Sequence, residues 1–375
     1  MPSNASIPMN DLGRLFAAHQ PAVEAAALET LRSGWWLNGP RMRSFADRFA
    51  EYLGVSICIP VANGTDALEL ALRALSHQCR PGAEIVTVAN AGGYTTTACR
   101  QVGLVPVYAD IEVSSQLLAI ESAVAGLSEH TAAVVATHLY GNTVDVPALR
   151  SAMDAAGYKH VAIIEDCAQS HGASIGATMA GALGDLATFS FYPTKNLGAV
   201  GDGGAVATND PTLADTIRRL QQYGWRTKYE ISHAGGRNSR MDEIQAAILE
   251  TMLPHLDAQN AERQQILDRY SLVENEQVRF IARRDGSIVH LAVALCSDRQ
   301  GFRKFLTERN IASDIHYPIL DTDQAGWSGL PMRESSSGLK ASRDSVARIL
   351  SLPCFPGMTE GEVDRVCSAI VDWKA

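Results

Sequence analysis

The sequence predicts an α/β protein: a large, mostly parallel sheet domain of the doubly wound kind, followed by a smaller α+β unit. Three observations lead there. Short apolar runs rich in Val and Ile alternate with longer helical patterns from about residue 55 to 210. Those runs are continuous rather than alternating, as in strands covered on both faces. Beyond about Gln245 the alternation gives way to a long helical stretch, Asp242 to Tyr270, interrupted by Pro254. A proline there kinks or breaks a helix.

Taken in order, strands are expected at Val55–Ile59, Ile85–Val88, Val105–Tyr108, Val134–Thr137, Val161–Glu165, Leu186–Phe191 and Ala205–Thr208. Helix-like stretches such as Ala67–Leu75 and Val146–Ala156 lie between them, and strand–helix alternation of this length reads as a doubly wound domain. The remainder should carry strands Val289–Leu295 and Ile311–His316 and helices Gly301–Arg309, Ser342–Arg348 and Glu360–Trp373. Gly326–Lys340, with Pro331 and a Ser335–Gly338 run, reads as a surface loop. The division falls near residue 250, giving units 1–250 and 251–375.

Composition narrows the function. The chain has 375 residues, 46% from the AVILMFWYC set, and a formal charge of −9. That balance supports a large core and excludes a disordered chain. Its acidity argues against nucleic acid or anionic lipid as partner, and no apolar run approaches the roughly 18 residues of a membrane span. The first twenty residues lack a basic segment followed by an apolar one, so no secretory signal is expected. The seven cysteines, Cys58, Cys79, Cys99, Cys167, Cys296, Cys354 and Cys367, form no C-x-x-C pair. They read as small buried hydrophobes in a reducing, cytoplasmic compartment, with neither a disulfide framework nor a structural metal site.

Three motifs carry chemistry. Asn63-Gly64-Thr65-Asp66 follows a strand and opens an apolar helix. Gly64 allows a tight turn, Thr65 or Asn63 can cap, and the helix start favours a phosphate. A capped helix without ligand is the plain alternative. Glu165-Asp166 closes a continuous apolar strand, and the carboxyl ends of such strands are where open α/β sheets bind ligands. An acid there can be a solvated strand end, a metal ligand or the partner of a cationic heterocycle; His171, close by and alone, reads as structural or solvent-facing. Lys195 follows another buried strand amid Ser190, Thr194, Asn196 and glycines. A lysine so placed can have a lowered pKa and act as an imine-forming nucleophile, or it can be a snorkelling surface lysine. In this chain order the three match what pyridoxal phosphate needs: a phosphate cradle, a carboxylate for the pyridinium nitrogen and a lysine for the aldehyde. No G-x-G-x-x-G fingerprint with a following acid supports a dinucleotide-binding module instead.

Those residues belong to a longer series of motifs. Ser33-Gly34-Trp35-Trp36-Leu37-Asn38-Gly39-Pro40, Asn63–Leu68, His138-Leu139-Tyr140-Gly141, Glu165–Gln169, Ser190–Gly204, Gly236–Ala247 and Leu350–Pro356 run along nearly the whole chain. With them the sequence resembles the DegT/DnrJ/EryC1/StrS family of sugar aminotransferases, which have the pyridoxal-phosphate-dependent type I (aspartate aminotransferase) fold. The resemblance implies that Lys195 bonds the cofactor aldehyde, Asp166 partners the ring nitrogen and Gln169 lies beside the phenolic oxygen. It assigns Gly64, Thr65 and Ser190 to the phosphate and Tyr94 to the ring face. Asn238 would be donated to the phosphate by a second subunit, making a homodimer with shared sites. Arg240, His316 and Tyr317 are candidates for the substrate, a nucleotide-linked keto-sugar, with L-glutamate as amino donor. Relatives that are dehydratases carry histidine at the lysine position, and a non-catalytic regulator would lack the lysine or the acid; this chain has both. Gly201-Asp202-Gly203-Gly204 resembles members acting on 3-keto sugars, whereas those acting at C4 more often show Gly-Glu-Gly-Gly, so amination at C3 is expected and C4 is the alternative. Asn90-Ala91-Gly92-Gly93 departs from the family's Pro-containing stretch before the stacking residue.

Overall fold

The computed structural model describes residues 5–76 and 82–374; Cys79 lies outside them. The expected strands form, shifted by one to three residues at their ends. They are β1 (Ile57–Val61), β2 (Glu84–Val88), β3 (Val105–Ala109), β4 (Thr131–Thr137) and β5 (Ala162–Asp166). A small hairpin follows, β6 (Ser174–Ile175) with β7 (Thr178–Met179), then β8 (Leu186–Ser190) and β9 (Gly204–Thr208). A second hairpin pairs β10 (Trp225–Thr227) with β11 (Glu230–Ile231). The C-terminal part adds β12 (Val278–Phe280), β13 (Ala292–Cys296), β14 (Arg333–Glu334) and β15 (Ile349–Leu352).

The large sheet has the order β1-β9-β8-β5-β4-β2-β3-β14. β9 runs antiparallel to both neighbours, and the pairs from β8 to β14 are parallel. Both faces are covered, which is why the strands read as unbroken apolar runs. In β9, Ala205 and Ala207 face a cluster containing Phe45, Phe49, Phe189 and Phe191. Val206 faces the opposite cluster, with Leu70, Ile164 and Ile217. Phe49 packs edge-on to Phe189 and Phe191 at 5.0 and 5.3 Å. The helix Pro40–Leu53 thereby closes one face, and the helices Gly64–Ser76 and Pro211–Leu220 close the other.

Pro254 breaks the long helix as the sequence requires. Glu243–Met252 ends, a 3-10 turn spans Leu253–His255, and Leu256–Ser271 resumes. Beyond it, β12, β13 and β15 make an antiparallel sheet packed against the helices Leu256–Ser271, Arg299–Glu308 and Glu360–Asp372.

Three expectations for this region need correction. Ile311–His316 is not a strand, because its partner changes along its length: Ile311 bridges Ile7 and Asp314 bridges Ser351. The expected strand Val289–Leu295 begins only at Ala292, since the His290 N–H is taken by Tyr140 O. The stretch Gly326–Lys340 is not all loop. Arg333–Glu334 adds a parallel strand to the edge of the large sheet, and Arg333 holds Glu84 through two contacts of 2.7 and 2.6 Å. Pairing with a distant edge is a tertiary event that turn-forming residues nearby conceal.

The described cysteines are free; all are buried except the half-buried Cys367, and burial pushes the thiols of Cys58, Cys99, Cys296 and Cys354 up to about 12. Among the described residues no helix is long and apolar enough to cross a membrane.

Candidate active site

One cavity of about 500 Å³ opens at the carboxyl ends of β4, β5 and β8, where an open α/β sheet places its ligands. Its floor is built from the three sequence motifs. Asn63 is the cap: its Oδ1 accepts from the Asp66 N–H at 2.8 Å, and its carbonyl accepts from the Ala67 N–H. The first-turn N–H groups of Gly64 and Thr65 are left without a partner among the described residues. Gly64 serves close approach rather than a left-handed turn. A Cβ there would sit 2.6 Å from Ser190 Cβ and fill the gap between the helix start and that hydroxyl. Free N–H groups, a helix N-terminus and a serine converge as an anion cradle.

Period-two alternation sends Glu165 and Asp166 to opposite sides of the sheet. Asp166 lines the cavity, 6% exposed. Burial raises its pKa, opposed by the Ala168 N–H, donated to Oδ1 at 3.1 Å, and by the charge of Lys195. Glu165 is fully buried and saturated, accepting from the N–H groups of Gly181, Leu183 and Gly184 at 2.7–2.9 Å and bonding His138 Nε2 at 2.9 Å. The Val144 N–H donates to His138 Nδ1, so Nε2 carries the proton and donates to Glu165. Burial drives the Glu165 pKa upward, but His138 and the backbone donors overcome it and hold the carboxyl below its ordinary value. His138, Glu165 and Cys167 have ligand atoms within 4.8 Å of one another. With both ring nitrogens of His138 occupied, the cluster is a brace under the site.

Glu165→Gln should therefore destabilise the fold by about 1–3 kcal/mol, because a neutral amide replaces a buried carboxylate that accepts from His138 and three backbone N–H groups, read as a lower urea midpoint. Since the folded pKa is depressed, the stabilisation is present above the ordinary value of 4.5 and is lost as pH falls through the lower folded value.

Lys195 stands on the turn after β8, its N–H donating to Tyr192 O at 2.8 Å. Burial lowers its pKa to about 8, and the Asp166 charge limits the fall. Asn196 fixes this turn from below. Its amide nitrogen donates to Asn260 Oδ1 at 2.7 Å and Val289 O at 3.0 Å, and its Oδ1 receives His290 Nδ1–H at 2.7 Å. His171 proves structural rather than solvent-facing: fully buried against Phe189 and Phe191, its pKa is pushed down to about 3 by burial and then by Lys195.

Tyr94, 49% exposed, stands on the cavity wall rather than in the core, with its ring 6.0 Å from and edge-on to Tyr317. Gln169 is held at both ends: Oε1 accepts from the Tyr140 N–H at 2.7 Å, and Nε2 donates to Tyr317 Oη at 3.0 Å. His316 and Tyr317 line the same wall; Tyr140 Oη donates to His316 O, and His316 Nδ1 bonds Ser351 Oγ at 2.9 Å. The unusual Gly92-Gly93 pair now has a cause. Both have positive φ, 78° and 83°, and a Cβ would lie 2.9 Å from the Tyr317 ring and 2.7 Å from that of Trp327. Gly92→Ala is expected to push Tyr317 from Gln169 and raise KM about tenfold or more, since small displacements in a site are costly; steady-state kinetics checks this.

Two predicted site residues stay apart from this cavity. Asn238 is exposed, paired as a bridge with Gln222, and neither it nor Arg240 lines the cavity of its own chain. Sequence reasoning missed others that do. Thr137 is 5% exposed, lies opposite Asp166 in the β4–β5 register, and has an unpartnered hydroxyl. His290, Asp314 and the N-terminal Met9 and Asn10 also line it. Thr137 could have been found from strand pairing; the others are joined to the site only by tertiary folding.

A cradle for an anion, a buried carboxylate with one backbone donor and a lysine with a lowered pKa define a site for an aldehyde cofactor carrying a phosphate and a cationic ring nitrogen. Residues 19–371 match the DegT/DnrJ/EryC1/StrS aminotransferase family, and the chain belongs to it. It is 35% identical, over 97% of its length and 98% of the relative's, to the erythromycin biosynthesis sensory transduction protein EryC1 of Saccharopolyspora erythraea. It is 35% identical to the dTDP-3-amino-3,4,6-trideoxy-alpha-D-glucose transaminase of Micromonospora megalomicea subsp. nigra, covering 92% of each chain. Among solved structures it is similar to S. venezuelae DesV in complex with a ketimine intermediate, with TM-score 0.92, 33% identity and 98% of each chain covered. It is also similar to NtdA from Bacillus subtilis with bound cofactor PMP, with TM-score 0.88, 26% identity, 98% of this chain and 84% of that one. The fold is that of the pyridoxal-phosphate-dependent aminotransferases, and the enzyme is an aminotransferase.

The residues present fit the cofactor. Gly64, Thr65 and Ser190 would hold its phosphate, Asp166 its ring nitrogen, Gln169 and Tyr94 its ring, and Lys195 its aldehyde. Asp166, buried with a single hydrogen-bond donor to its carboxylate among the described residues and a raised pKa, has room for a cationic partner.

Proposed function

We propose that the chain aminates C3 of a nucleotide-linked keto-deoxysugar, a dTDP-3-keto-6-deoxyhexose, with L-glutamate as donor. The observation carrying the chemistry is that Lys195 and Asp166 face one cavity beside the helix start at Gly64. The relatives that are 3-amino-sugar transaminases support the sugar and the ring carbon.

Bound pyridoxal phosphate supplies an aldehyde that captures amines and a ring that draws in electron density. The protein's residues do the rest. With a pKa near 8, Lys195 Nζ exchanges between ammonium and free amine around neutral pH. The free amine accepts the proton leaving the donor's α-carbon; the same group later returns one to the carbon that becomes the amine-bearing centre of the sugar. General acid–base work of this kind contributes about 10²–10⁴-fold. The Asp166 carboxylate would face the cationic ring nitrogen, and the donors around Gly64 would anchor the phosphate. His316 and Tyr317 lie on the wall where a sugar would sit.

The chain acts as a homodimer with shared sites. Asn238 and Arg240, outside their own cavity, would reach the partner's, Asn238 toward the cofactor phosphate and Arg240 toward the substrate diphosphate. The free cysteines support a reducing compartment, the cytoplasm, and the division near residue 250 separates the cofactor-binding unit from the C-terminal one. The test is a panel of nucleotide-linked 3-keto and 4-keto sugars with glutamate, read by mass spectrometry. A 3-keto sugar should gain an amine as 2-oxoglutarate forms. Amination confined to 4-keto sugars moves the reaction to C4. 2-Oxoglutarate without any aminated sugar removes the sugar assignment.

A further inference from the structure

The N-terminal arm forms one wall of the cavity through Met9 and Asn10, and it is pinned on both sides of them. Upstream, the fully buried Ile7 donates its N–H to Asn310 O at 2.8 Å and accepts from the Ala312 N–H at 2.9 Å. Downstream, Asp11 Oδ1 accepts from the Arg14 N–H at 3.1 Å, and Arg14 forks onto Glu362 at 2.7 and 2.9 Å. Between these anchors Asn10 Oδ1 is buried and has no hydrogen-bond partner among the described residues. Native proteins seldom leave a buried amide oxygen so, and its location on a cavity wall points to a donor that arrives with a ligand.

The neighbouring groups identify the kind of donor. The segment that receives the arm carries Asp314 and His316 into the same wall. Asp314 Oδ1 accepts from the Ile315 N–H at 2.8 Å and its Oδ2 is 3.9 Å from His316 Nε2. The wall therefore offers acceptors, an amide oxygen and a carboxylate. An amino-acid donor such as glutamate brings carboxylates, which an acceptor-rich wall repels. A sugar brings hydroxyls, which donate to it.

We propose that Asn10 is a specificity-determining residue whose side-chain oxygen accepts a hydrogen bond from a ring hydroxyl of the sugar, with Asp314 on the same wall. The inference rests on the sugar-aminotransferase reading above. Its partner is a hydroxyl beside the amine-bearing carbon, at C2 or C4.

Calorimetric titration of the holoenzyme with three amino sugars tests it. The probes are dTDP-3-amino-3,6-dideoxygalactose, dTDP-3-amino-3,4,6-trideoxyglucose, which lacks the C4 hydroxyl, and a 2-deoxy analogue of the first. Wild type should bind one of the two hydroxyl-deleted probes about tenfold more weakly than the parent, the scale of one hydrogen bond. In Asn10→Leu that ratio should fall to near one, while Asn10→Asp, which keeps an acceptor, retains it. Melting temperature and the visible absorbance of bound cofactor establish that both variants fold. If Asn10→Leu discriminates among the three probes as wild type does, the assignment is overturned. A wild-type cofactor spectrum unmoved by glutamate would instead bring down the aminotransferase reading itself, and the inference with it.

Discussion

Lys195→Ala is expected to lower kcat by about 10⁴-fold or more, at or beyond the upper end of acid–base catalysis, because in the proposed mechanism one side chain is both attachment point and proton carrier. Among the described residues no second lysine lines the cavity to replace it. The loss should be in kcat and not in folding, since the Lys195 side chain reaches into the cavity and truncation leaves the Asn196 anchors in place. The wild-type amine also makes a pH prediction. Capture of pyridoxal phosphate by apoprotein needs the neutral amine, so its rate should rise with pH and level off above about 8, where Lys195 is deprotonated. An ordinary surface lysine would level off more than two units higher, near 10.5. Stopped-flow absorbance at several pH values distinguishes the two.

Asp166→Asn should cost on the order of 10²–10³ in kcat, comparable to removing one preorganised electrostatic partner. An amide fills the same space but supplies no negative charge to hold the ring nitrogen protonated. A second consequence separates this from a packing defect. The Asp166 charge raises the pKa of Lys195 against its burial, so its removal should let that pKa fall further below 8. The pH profile of cofactor capture should move to lower pH in Asp166→Asn. Activity loss without that movement would mean that the carboxylate acts elsewhere.

The parts of the site that could be read in the sequence are those for which local structure is enough. A capped helix start, a strand ending in an acid and a strand followed by a lysine announce themselves in a few adjacent residues, and a parallel sheet brings such ends to one edge. Glu165 and Asp166 show the limit. They are neighbours in sequence, yet pleating separates them into a buried brace under His138 and a group lining the cavity. The Gly92-Gly93 departure was legible as an oddity, but its reason, the rings of Tyr317 and Trp327, lies more than two hundred residues away. Asn10 and Asp314 had no local signature, because the arm joins the wall through backbone bonds from Ile7 to Asn310 and Ala312. The misread segments Ile311–His316 and Gly326–Lys340 share that cause: their extended pieces pair with distant elements rather than with each other.

Borohydride reduction of the holoenzyme followed by peptide mass mapping shows whether Lys195 is the amine bonded by the cofactor. One pyridoxyl phosphate adduct is expected, on the peptide containing Lys195, and none after glutamate has converted the cofactor to its amino form. An adduct on Lys159 or Lys228 with Lys195 unmodified, or no adduct on protein that has bound the cofactor, would contradict it.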